Sequence, residues 1–234
     1  MPPAIARGRV TIREIVDEHD PAIGPAYALL KRFFARGERV DRNEWIGSLR
    51  EGAGRLVSDL VWHLLVAERD GEVIGLASGS YLGSFNVGVI GYLAAVPEAR
   101  VRGLGSRLRE RLRVRFVRDA ARIADAPLAA IIGEVSVGNR WLRNLAARPG
   151  VILLDFPYYQ PSLREDDAPS SFVLYYESLA PRRTRVPVSE LRRLLYAVWR
   201  RVYRIPRPLD RPAFRLMLRA LEGRRTVGSR ILDQ

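Results

Sequence analysis

A glycine-containing stretch at residues 96–106 has the residue types of a phosphate-binding loop. Gly103 and Gly105 allow backbone amides to turn inward and to approach a ligand closely. The amides that open the following helix have no partner within it, and the positive end of the helix dipole faces the same point. Arg100 and Arg102 add positive charge beside the loop. This combination predicts a binding site for a phosphate or a pyrophosphate.

Two common phosphate motifs fit this loop poorly. A nucleotide P-loop needs four residues between its glycines and then Lys-Ser or Lys-Thr, whereas the one lysine of the chain is Lys31. A dinucleotide fingerprint needs a third glycine where Leu108 stands, an early βαβ unit and a later ribose-binding acid. The remaining description is an Arg-x-x-Gly-x-Gly loop that begins at Arg100 and ends at Gly105.

Few other side chains have the chemistry of a reactive centre. The chain of 234 residues has no cysteine and two histidines, which excludes disulfide scaffolds, thiol nucleophiles and Cys/His zinc clusters. His63 has Ser58 and Asp59 nearby in sequence, as a catalytic triad would require. However, it lies in an alternating strand pattern, and no Gly-x-Ser-x-Gly elbow occurs. We therefore expect a packed histidine and no metal site.

Strand and helix patterns alternate along the first 180 residues. The Asp70-Gly71 pair predicts a β-hairpin, and Pro97 ends a strand directly before the glycine loop because proline cannot donate to a ladder. Apolar residues at three- and four-residue steps predict a long amphipathic helix over 105–124 directly after the loop. The predicted strands are 10–15, 61–68, 72–81, 87–96, 128–135, 151–159 and 171–179, and the other predicted helices are 21–34, 43–49 and 139–147.

The C-terminal part of the chain differs from the rest in charge. Residues 1–180 hold 24 basic and 22 acidic side chains, whereas residues 181–234 hold 15 basic and 4 acidic ones. After a linker at 181–187, two short amphipathic helices are predicted over 191–202 and 211–221. Because such helices are unstable alone, we expect them to dock on the main domain or on a second subunit, and less readily on a membrane surface or nucleic acid.

The loop at 100–105 resembles the pyrophosphate loop of the GNAT superfamily of acyl-CoA-dependent N-acyltransferases, Gln/Arg-x-x-Gly-x-Gly/Ala. A second family signature, an Asn at a strand exit followed by Leu six residues later and Gly eleven residues later, matches Asn139, Leu145 and Gly150. The order of predicted elements over 10–179 is also similar. The resemblance implies an α/β (α+β) fold, in which a GNAT-like mixed, mostly antiparallel central sheet of about seven strands is flanked by helices. The C-terminal helices are an addition to it.

In that family, the strand before the loop splays from the next strand and holds the pantetheine arm of coenzyme A, while the loop amides hold the pyrophosphate. The resemblance implies acetyl-CoA or another acyl-CoA as the co-substrate. A tight turn without a ligand is the alternative interpretation of the two glycines. The cofactor-binding residues that the resemblance implies are Leu93, Ala95, Val96, Arg100, Val101, Arg102, Gly103, Leu104, Gly105, Ser106 and Asn139.

The family's usual catalytic residues are absent from their usual positions. The tyrosine that protonates the thiolate would stand seven residues after the Asn, where this chain has Ala146, and the central-strand glutamate of some members falls near Val89. A strand tyrosine often only packs, and a glutamate often only pairs with an arginine, so each alternative candidate has a structural interpretation as well. The candidates for the catalytic acid and base are Glu134, Tyr92, Tyr159 and Tyr158.

These features predict an acyl-CoA-dependent N-acyltransferase, most simply one that transfers acetyl directly to a primary amine of a small molecule or a protein in a ternary complex. The alternative is a catalytically weak acyl-CoA-binding or sensing module with a basic tail that binds nucleic acid or an acidic protein. A third interpretation makes residues 181–234 a homodimerisation element. No apolar run reaches the roughly 18 to 20 residues of a membrane-spanning helix, so we expect a soluble, cytoplasmic protein.

Overall fold

The computed structural model of the chain describes residues 8–54, 59–97, 101–139, 141–161 and 169–230. No helix in these ranges is both long enough and apolar enough to span a membrane. The strands are β1 (Thr11–Ile15), β2 (Leu60–Arg69), β3 (Glu72–Leu82), β4 (Val87–Ala95), β5 (Ala130–Ser136), β6 (Val151–Leu153), β7 (Tyr158–Gln160), β8 (Ser170–Ser178), β9 (Val186–Pro187) and β10 (Thr226–Val227). The α-helices are α1 (Ile23–Phe33), α2 (Arg42–Ala53), α3 (Leu104–Asp119), α4 (Trp141–Ala146), α5 (Val188–Ala197) and α6 (Pro212–Ala220).

Eight of these strands form the central sheet. Seven of them follow the order β1-β2-β3-β4-β5-β8-β6, and β7 also pairs with β8. All neighbours run antiparallel except β4 and β5, which are parallel. Helices α3 and α4 pack on one face, and α1, α2, α5 and α6 pack on the other. The expected mixed, mostly antiparallel sheet of about seven strands with flanking helices is confirmed.

The hairpin between β2 and β3 forms at the predicted turn. Asp70 and Gly71 both have positive φ, at 52° and 83°, and Arg69 pairs with Glu72 across them. Two successive residues with positive φ match the right-handed twist of the flanking strands, which is why Asp-Gly favours this turn.

Strands β4 and β5 separate from each other partway along the sheet. They pair from Val87 to Ile90 and from Ala130 to Gly133, and the ladder between them stops there. In the pairing of β4 with β3, Gly91 is an extra residue, because Ile90 pairs with Gly79 while Tyr92 pairs with Ser78. Such a bulge bends and twists a strand locally. The bulge therefore marks the point at which a wedge opens between β4 and β5.

Helix α3 packs tightly on the sheet through one apolar face. Leu104, Leu108, Leu112 and Phe116 are buried there, and each such side chain contributes about 1.5–3 kcal/mol by leaving water. A Cβ atom at Gly88 would lie 2.1 Å from the Phe116 ring, so glycine is required for this close approach. The predicted helix is present, and its last turn, residues 120–124, is a wider π-helical turn.

The single strand predicted over 151–159 is wrong, because the chain forms two short strands there, β6 and β7. Pro157 has no amide to donate to a continuous ladder. The backbone between the strands also has another partner, since the Asp155 amide donates to the Gly228 carbonyl at 3.0 Å.

The C-terminal extension, which begins at residue 181, docks on the chain's own sheet. Helix α5 continues into a π-helical turn at Val198–Val202, and β9 pairs with β10 where a linker was predicted. One core cluster joins Trp199 and Phe214 of the extension to Val89 and Ile132 of the sheet. The extension and helix α2 therefore lie on the same face of the sheet, with a space between them.

Candidate active site

A cavity of about 790 Å³ occupies the wedge between β4 and β5. Its walls include the end of β4, the glycine loop, the first turn of α3 and the residues that follow β5. Arg100 lies outside the described residues. The predicted cofactor-binding residues that line the cavity are Leu93, Ala95, Val96, Val101, Arg102, Gly103, Leu104, Gly105, Ser106 and Asn139.

The glycine loop leaves room for an anion at the start of α3. Gly103 has φ +74°, and its carbonyl accepts from the Arg107 amide at 3.0 Å. A Cβ atom at Gly103 or at Gly105 would meet no other atom within 4 Å, so open space lies in front of both. By helix geometry, the amides of Gly105 and Ser106 have no partner within α3. These groups can bind a phosphate.

The two strand edges of the wedge can bind an extended polar chain. Beyond Gly133, β5 pairs with β8 but not with β4. The backbone N–H and C=O groups on the facing edges of β4 and β5 therefore make no ladder hydrogen bonds to each other. At the far side, the Asn139 Oδ1 atom accepts from the Trp141 amide at 2.9 Å. Asn139 lines the cavity, and its side-chain nitrogen is a hydrogen-bond donor.

A second cavity of about 580 Å³ lies between α2 and the C-terminal extension. The aromatic side chains that line it are Trp45, Trp62 and Tyr92. Residues 201–204 of the extension line the opposite side. Gly91, at the bulge of β4, lines both this cavity and the wedge. The two cavities therefore share one lining residue, at the point where β4 and β5 separate.

Glu134 lines the wedge and is held by two tyrosines. Its Oε1 atom accepts from the Tyr203 hydroxyl at 2.6 Å and also from the Tyr158 hydroxyl. Glu134 lines the wedge, whereas Tyr203 lines the second cavity. Burial raises the pKa of Glu134 to about 7, against the lowering effect of the two hydroxyl donors and with a smaller raising effect from Glu38. A carboxyl with this pKa can exchange a proton near neutral pH.

The other two tyrosine candidates have different surroundings. The Tyr92 hydroxyl donates to the Glu38 carbonyl and accepts from the Val40 amide, each at 3.0 Å, and burial raises its pKa well above the usual value. It ties the segment between α1 and α2 to β4. Tyr159 is half-buried against the C-terminal extension, where its amide donates to Met217 Sδ at 3.4 Å. It is not among the described residues that line either cavity.

Tyr175 of β8 lines the wedge, although the sequence analysis did not identify it. It pairs with Gly133, the last β5 residue paired to β4, and a Cβ atom on Gly133 would lie 2.6 Å from the tyrosine oxygen. Burial raises the pKa of Tyr175 to about 12, and the neighbouring Arg109 charge opposes that shift. Because successive strand residues alternate, Tyr175 and Glu134 point to opposite faces of the sheet at the wedge.

His63 is a packed residue away from both cavities. Its two ring nitrogens lie 2.5 Å from Glu14 Oε1 and 2.6 Å from Asp119 Oδ2. Asp59 instead pairs with Arg201, and Ser58 lies outside the described residues. The cluster therefore joins β1, β2 and the end of α3 and does not form a catalytic triad.

Comparisons with known proteins agree with the fold. Residues 29–130 match the model of the acetyltransferase (GNAT) family, and no curated protein sequence matches the chain significantly. The chain is similar in structure to a protein from Bacteroides thetaiotaomicron described as a GNAT-family acetyltransferase, with TM-score 0.58, 19% identity and coverage of 83% of this chain and 99% of that one.

Two further solved structures have the same fold. One is the ribosomal-protein-S18-alanine N-acetyltransferase of Escherichia coli, with TM-score 0.50, 16% identity and coverage of 74% of this chain and 96% of that one. The other is an acetyltransferase-like protein from Acinetobacter baylyi, with TM-score 0.50, 16% identity and coverage of 73% and 93%. At these identities the likeness is one of fold. The chain therefore has the fold of the GNAT acetyltransferases, and residues 29–130 match the model of that family.

Proposed function

We propose that the protein is an acyl-CoA-dependent N-acyltransferase that transfers an acetyl group from acetyl-CoA directly to a primary amine in a ternary complex. The observation that carries this proposal is that Gly91, where β4 and β5 separate, lines two cavities. A donor in the wedge and an acceptor in the second cavity would meet at this point, so no covalent enzyme intermediate is needed.

The residues of the wedge suit coenzyme A along its length. The open space at Gly103 and Gly105 and the free amides of α3 suit its diphosphate. Arg102 is exposed beside them and adds positive charge. The separated edges of β4 and β5 suit the amide groups of its pantetheine arm. When bound, acetyl-CoA supplies a thioester carbonyl that an amine can attack.

Glu134 is the general base in this proposal. An amine enters as an ammonium ion and must lose a proton before it can attack. Glu134 lines the wedge, and its hydrogen-bond partner Tyr203 lines the second cavity. With a pKa raised to about 7 by burial, Glu134 is ionised in an appreciable fraction of molecules at neutral pH and still basic enough to accept that proton. Tyr158 and Tyr203 donate to its Oε1 atom and hold the carboxylate in place.

Tyr175 is the general acid in this proposal. Its hydroxyl lies over Gly133 at the opening of the wedge, on the face opposite to Glu134, and can donate a proton to a leaving thiolate. The Arg109 guanidinium beside it stabilises the phenolate that results. Tyr175 would thus donate the proton that the family's usual tyrosine donates. At that tyrosine's position this chain has Ala146, in helix α4, which has no proton to give.

A mutational comparison tests the role of Tyr175. We expect Tyr175→Phe to lower kcat by about 10²-fold or more, as loss of a general acid does, while the Kd for acetyl-CoA stays unchanged. Tyr176→Phe is the matched control, because the adjacent side chain points to the other face and its hydroxyl lies 3.4 Å from Glu190. Equal activity of the two variants would remove Tyr175 from the mechanism.

A thermal-shift titration with acetyl-CoA, longer acyl-CoAs, ATP and NADH tests the function as a whole. A ligand that binds only the folded state raises its stability in proportion to affinity. We expect acyl-CoA alone to stabilise the protein and acetyl-CoA to be consumed when amines are added. No stabilisation by any acyl-CoA would refute the proposal, and stabilisation without turnover of any amine would favour an acyl-CoA sensor.

A further inference from the structure

The C-terminal extension supplies one wall of the second cavity. Residues 201–204, which we call the crossing segment, line it opposite Trp45 and Trp62. The segment turns sharply at Arg204, whose φ of +57° is uncommon for a residue other than glycine. Such backbone strain persists only where the surrounding contacts hold it in place.

Two ion pairs hold the crossing segment across the cavity. Arg201 pairs with Asp59 just before β2, and it also donates to the Ser84 hydroxyl at 3.3 Å. Arg204 pairs with Glu51 of α2 at 2.7 and 2.9 Å. The segment is therefore fastened on both sides, and the cavity beneath it is walled by the extension, α2 and the sheet.

The charges of this wall favour a cation at the inner end. The arginines that line the cavity are paired: Arg201 and Arg204 as above, and Arg122 with Asp119 at 3.0 Å. Glu44, an exposed residue whose Oε1 atom accepts from the Asp41 amide at 3.4 Å, also lines the cavity and adds negative charge. Glu134 lies at the inner end behind Tyr203. An ammonium group is thus drawn inward, while the aromatic walls accept an apolar body.

The second cavity has the size and the wall of a site for a small organic molecule. Its volume is about 580 Å³. The rings of Trp45 and Trp62, which line it, lie 6.2 Å apart. The crossing segment forms a wall of this cavity together with α2 and the sheet, so it narrows the space that is available to an amine on the surface of a folded protein. We propose, on the basis of the proposed acyltransferase function, that the acceptor is a small primary amine with an aromatic or aliphatic body, bounded on one side by the crossing segment, and not a protein amine.

An acceptor panel tests this inference on the wild-type protein. The probes are 2-phenylethylamine, tryptamine, spermidine and a peptide with a free N-terminal alanine, each with acetyl-CoA, and the acetylated product is measured by mass spectrometry. We expect KM for the two arylalkylamines to be at least about tenfold lower than for spermidine, which lacks an apolar body. We expect the peptide to be acetylated poorly. Preferential acetylation of the peptide would overturn the inference.

A variant of the crossing segment tests the wall itself. Val202 lines the cavity, so Val202→Trp reduces its volume, and we expect KM for 2-phenylethylamine to rise at least about tenfold with no change in the Kd for acetyl-CoA. The matched control is Arg200→Ala, two residues away and exposed, which we expect to leave both constants unchanged. An unchanged KM in Val202→Trp would overturn the inference.

A binding measurement keeps the test independent of the variant's folding. Calorimetry on the wild-type protein saturated with coenzyme A should detect binding of 2-phenylethylamine, and absence of binding by both arylalkylamines would overturn the inference. Failure of acetyl-CoA to bind refutes the proposed function instead. Acetyl-CoA turnover with the peptide alone refutes only the acceptor class, so the two failures are distinguishable.

Discussion

The Glu134 carboxylate accepts from two tyrosine hydroxyls that lie 24 and 69 residues away along the chain. Glu134 itself was a candidate because it stands at a strand exit. Tyr203 lies in a basic tail that has no catalytic signature. The position of Tyr175 at the wedge depends on the register of β8 against β5. Pairing register is set by three-dimensional packing, so the sequence pattern did not indicate either residue.

The pH dependence of the reaction tests the Glu134 cluster. A base with a pKa of about 7 must lose its proton to act, so kcat/KM should rise with pH and reach half its maximum near pH 7. The Tyr203 hydroxyl lowers this pKa, so Tyr203→Phe should move the midpoint to higher pH. Glu134→Gln should lower kcat/KM by about 10²- to 10⁴-fold.

The control for that measurement comes from the same extension. Tyr196 is 40% exposed on α5, and Tyr196→Phe keeps its ring and removes a hydroxyl that Glu134 does not contact. We expect its pH profile to match that of the wild type. A midpoint that is the same in Tyr203→Phe and Tyr196→Phe would contradict the role given to Tyr203.

The secondary-structure elements were predicted more completely than the proposed catalytic residues. The hairpin at Asp70-Gly71, the strand before the glycine loop and helix α3 all follow from local signals, because turn chemistry and apolar spacing act over a few residues. The exception is the segment 151–159, where Pro157 and a partner near Gly228 break the ladder. Such a distant competitor has no local signal.

The glycine loop supplies a prediction at the level of the element. We expect Gly103→Glu to abolish acetyl-CoA binding, since it places a carboxylate where the diphosphate would lie and strains a backbone with φ +74°. Gly71→Glu is the matched control, because Gly71 has φ +83° and equally open space but lies in the β2–β3 turn. Calorimetry should show wild-type affinity in the control. Retained affinity in Gly103→Glu would remove the loop from the site.

The His63 cluster joins three elements and makes stability depend on pH. Burial disfavours its charge, but hydrogen bonds to Asp119 and Glu14 outweigh that effect and raise the pKa of His63 above its usual value. The stabilisation is therefore complete below the ordinary pKa of about 6.5 and is lost as the pH rises through the folded-state value.

We expect the free energy of unfolding to decrease as the pH rises above about 6.5, and to decrease less in His63→Gln. Urea titrations at several pH values measure both slopes. The remaining histidine, His19, is exposed, so His19→Gln is a suitable control. Parallel pH profiles in the wild type and His63→Gln would contradict the proposed linkage.

At the scale of the whole molecule, the extension is a structural part of the domain that contains the central sheet. Its apolar face, which the sequence offered for dimerisation, is buried in the core cluster with Val89 and Ile132. Part of its basic charge pairs with the body, through Arg201 to Asp59 and Arg204 to Glu51. The spacing of apolar residues predicted the apolar face, and the charge count gave the basic excess, but the surfaces that they contact depend on the three-dimensional packing.

A core substitution in the extension tests this integration. Trp199 is 1% exposed in the shared cluster, and we expect Trp199→Ala to lower the free energy of unfolding by about 3–5 kcal/mol. Leu209→Ala is the control, because Leu209 is 54% exposed on the same extension. Urea unfolding should show one transition in each protein. An unchanged main transition in Trp199→Ala would mean that the extension is independent of the sheet.

The position of the crossing segment has a consequence for biosynthesis. A ribosome releases the sheet and the glycine loop before residues 201–204, since chains are made from the N-terminus. Until the extension emerges, the face around Val89 and Ile132 is open to water, and Glu134 lacks one of its two tyrosine donors. In the proposed mechanism, a working site therefore forms only after this late-made segment has joined the acceptor side, and a chain interrupted before it would carry the proposed donor loop alone.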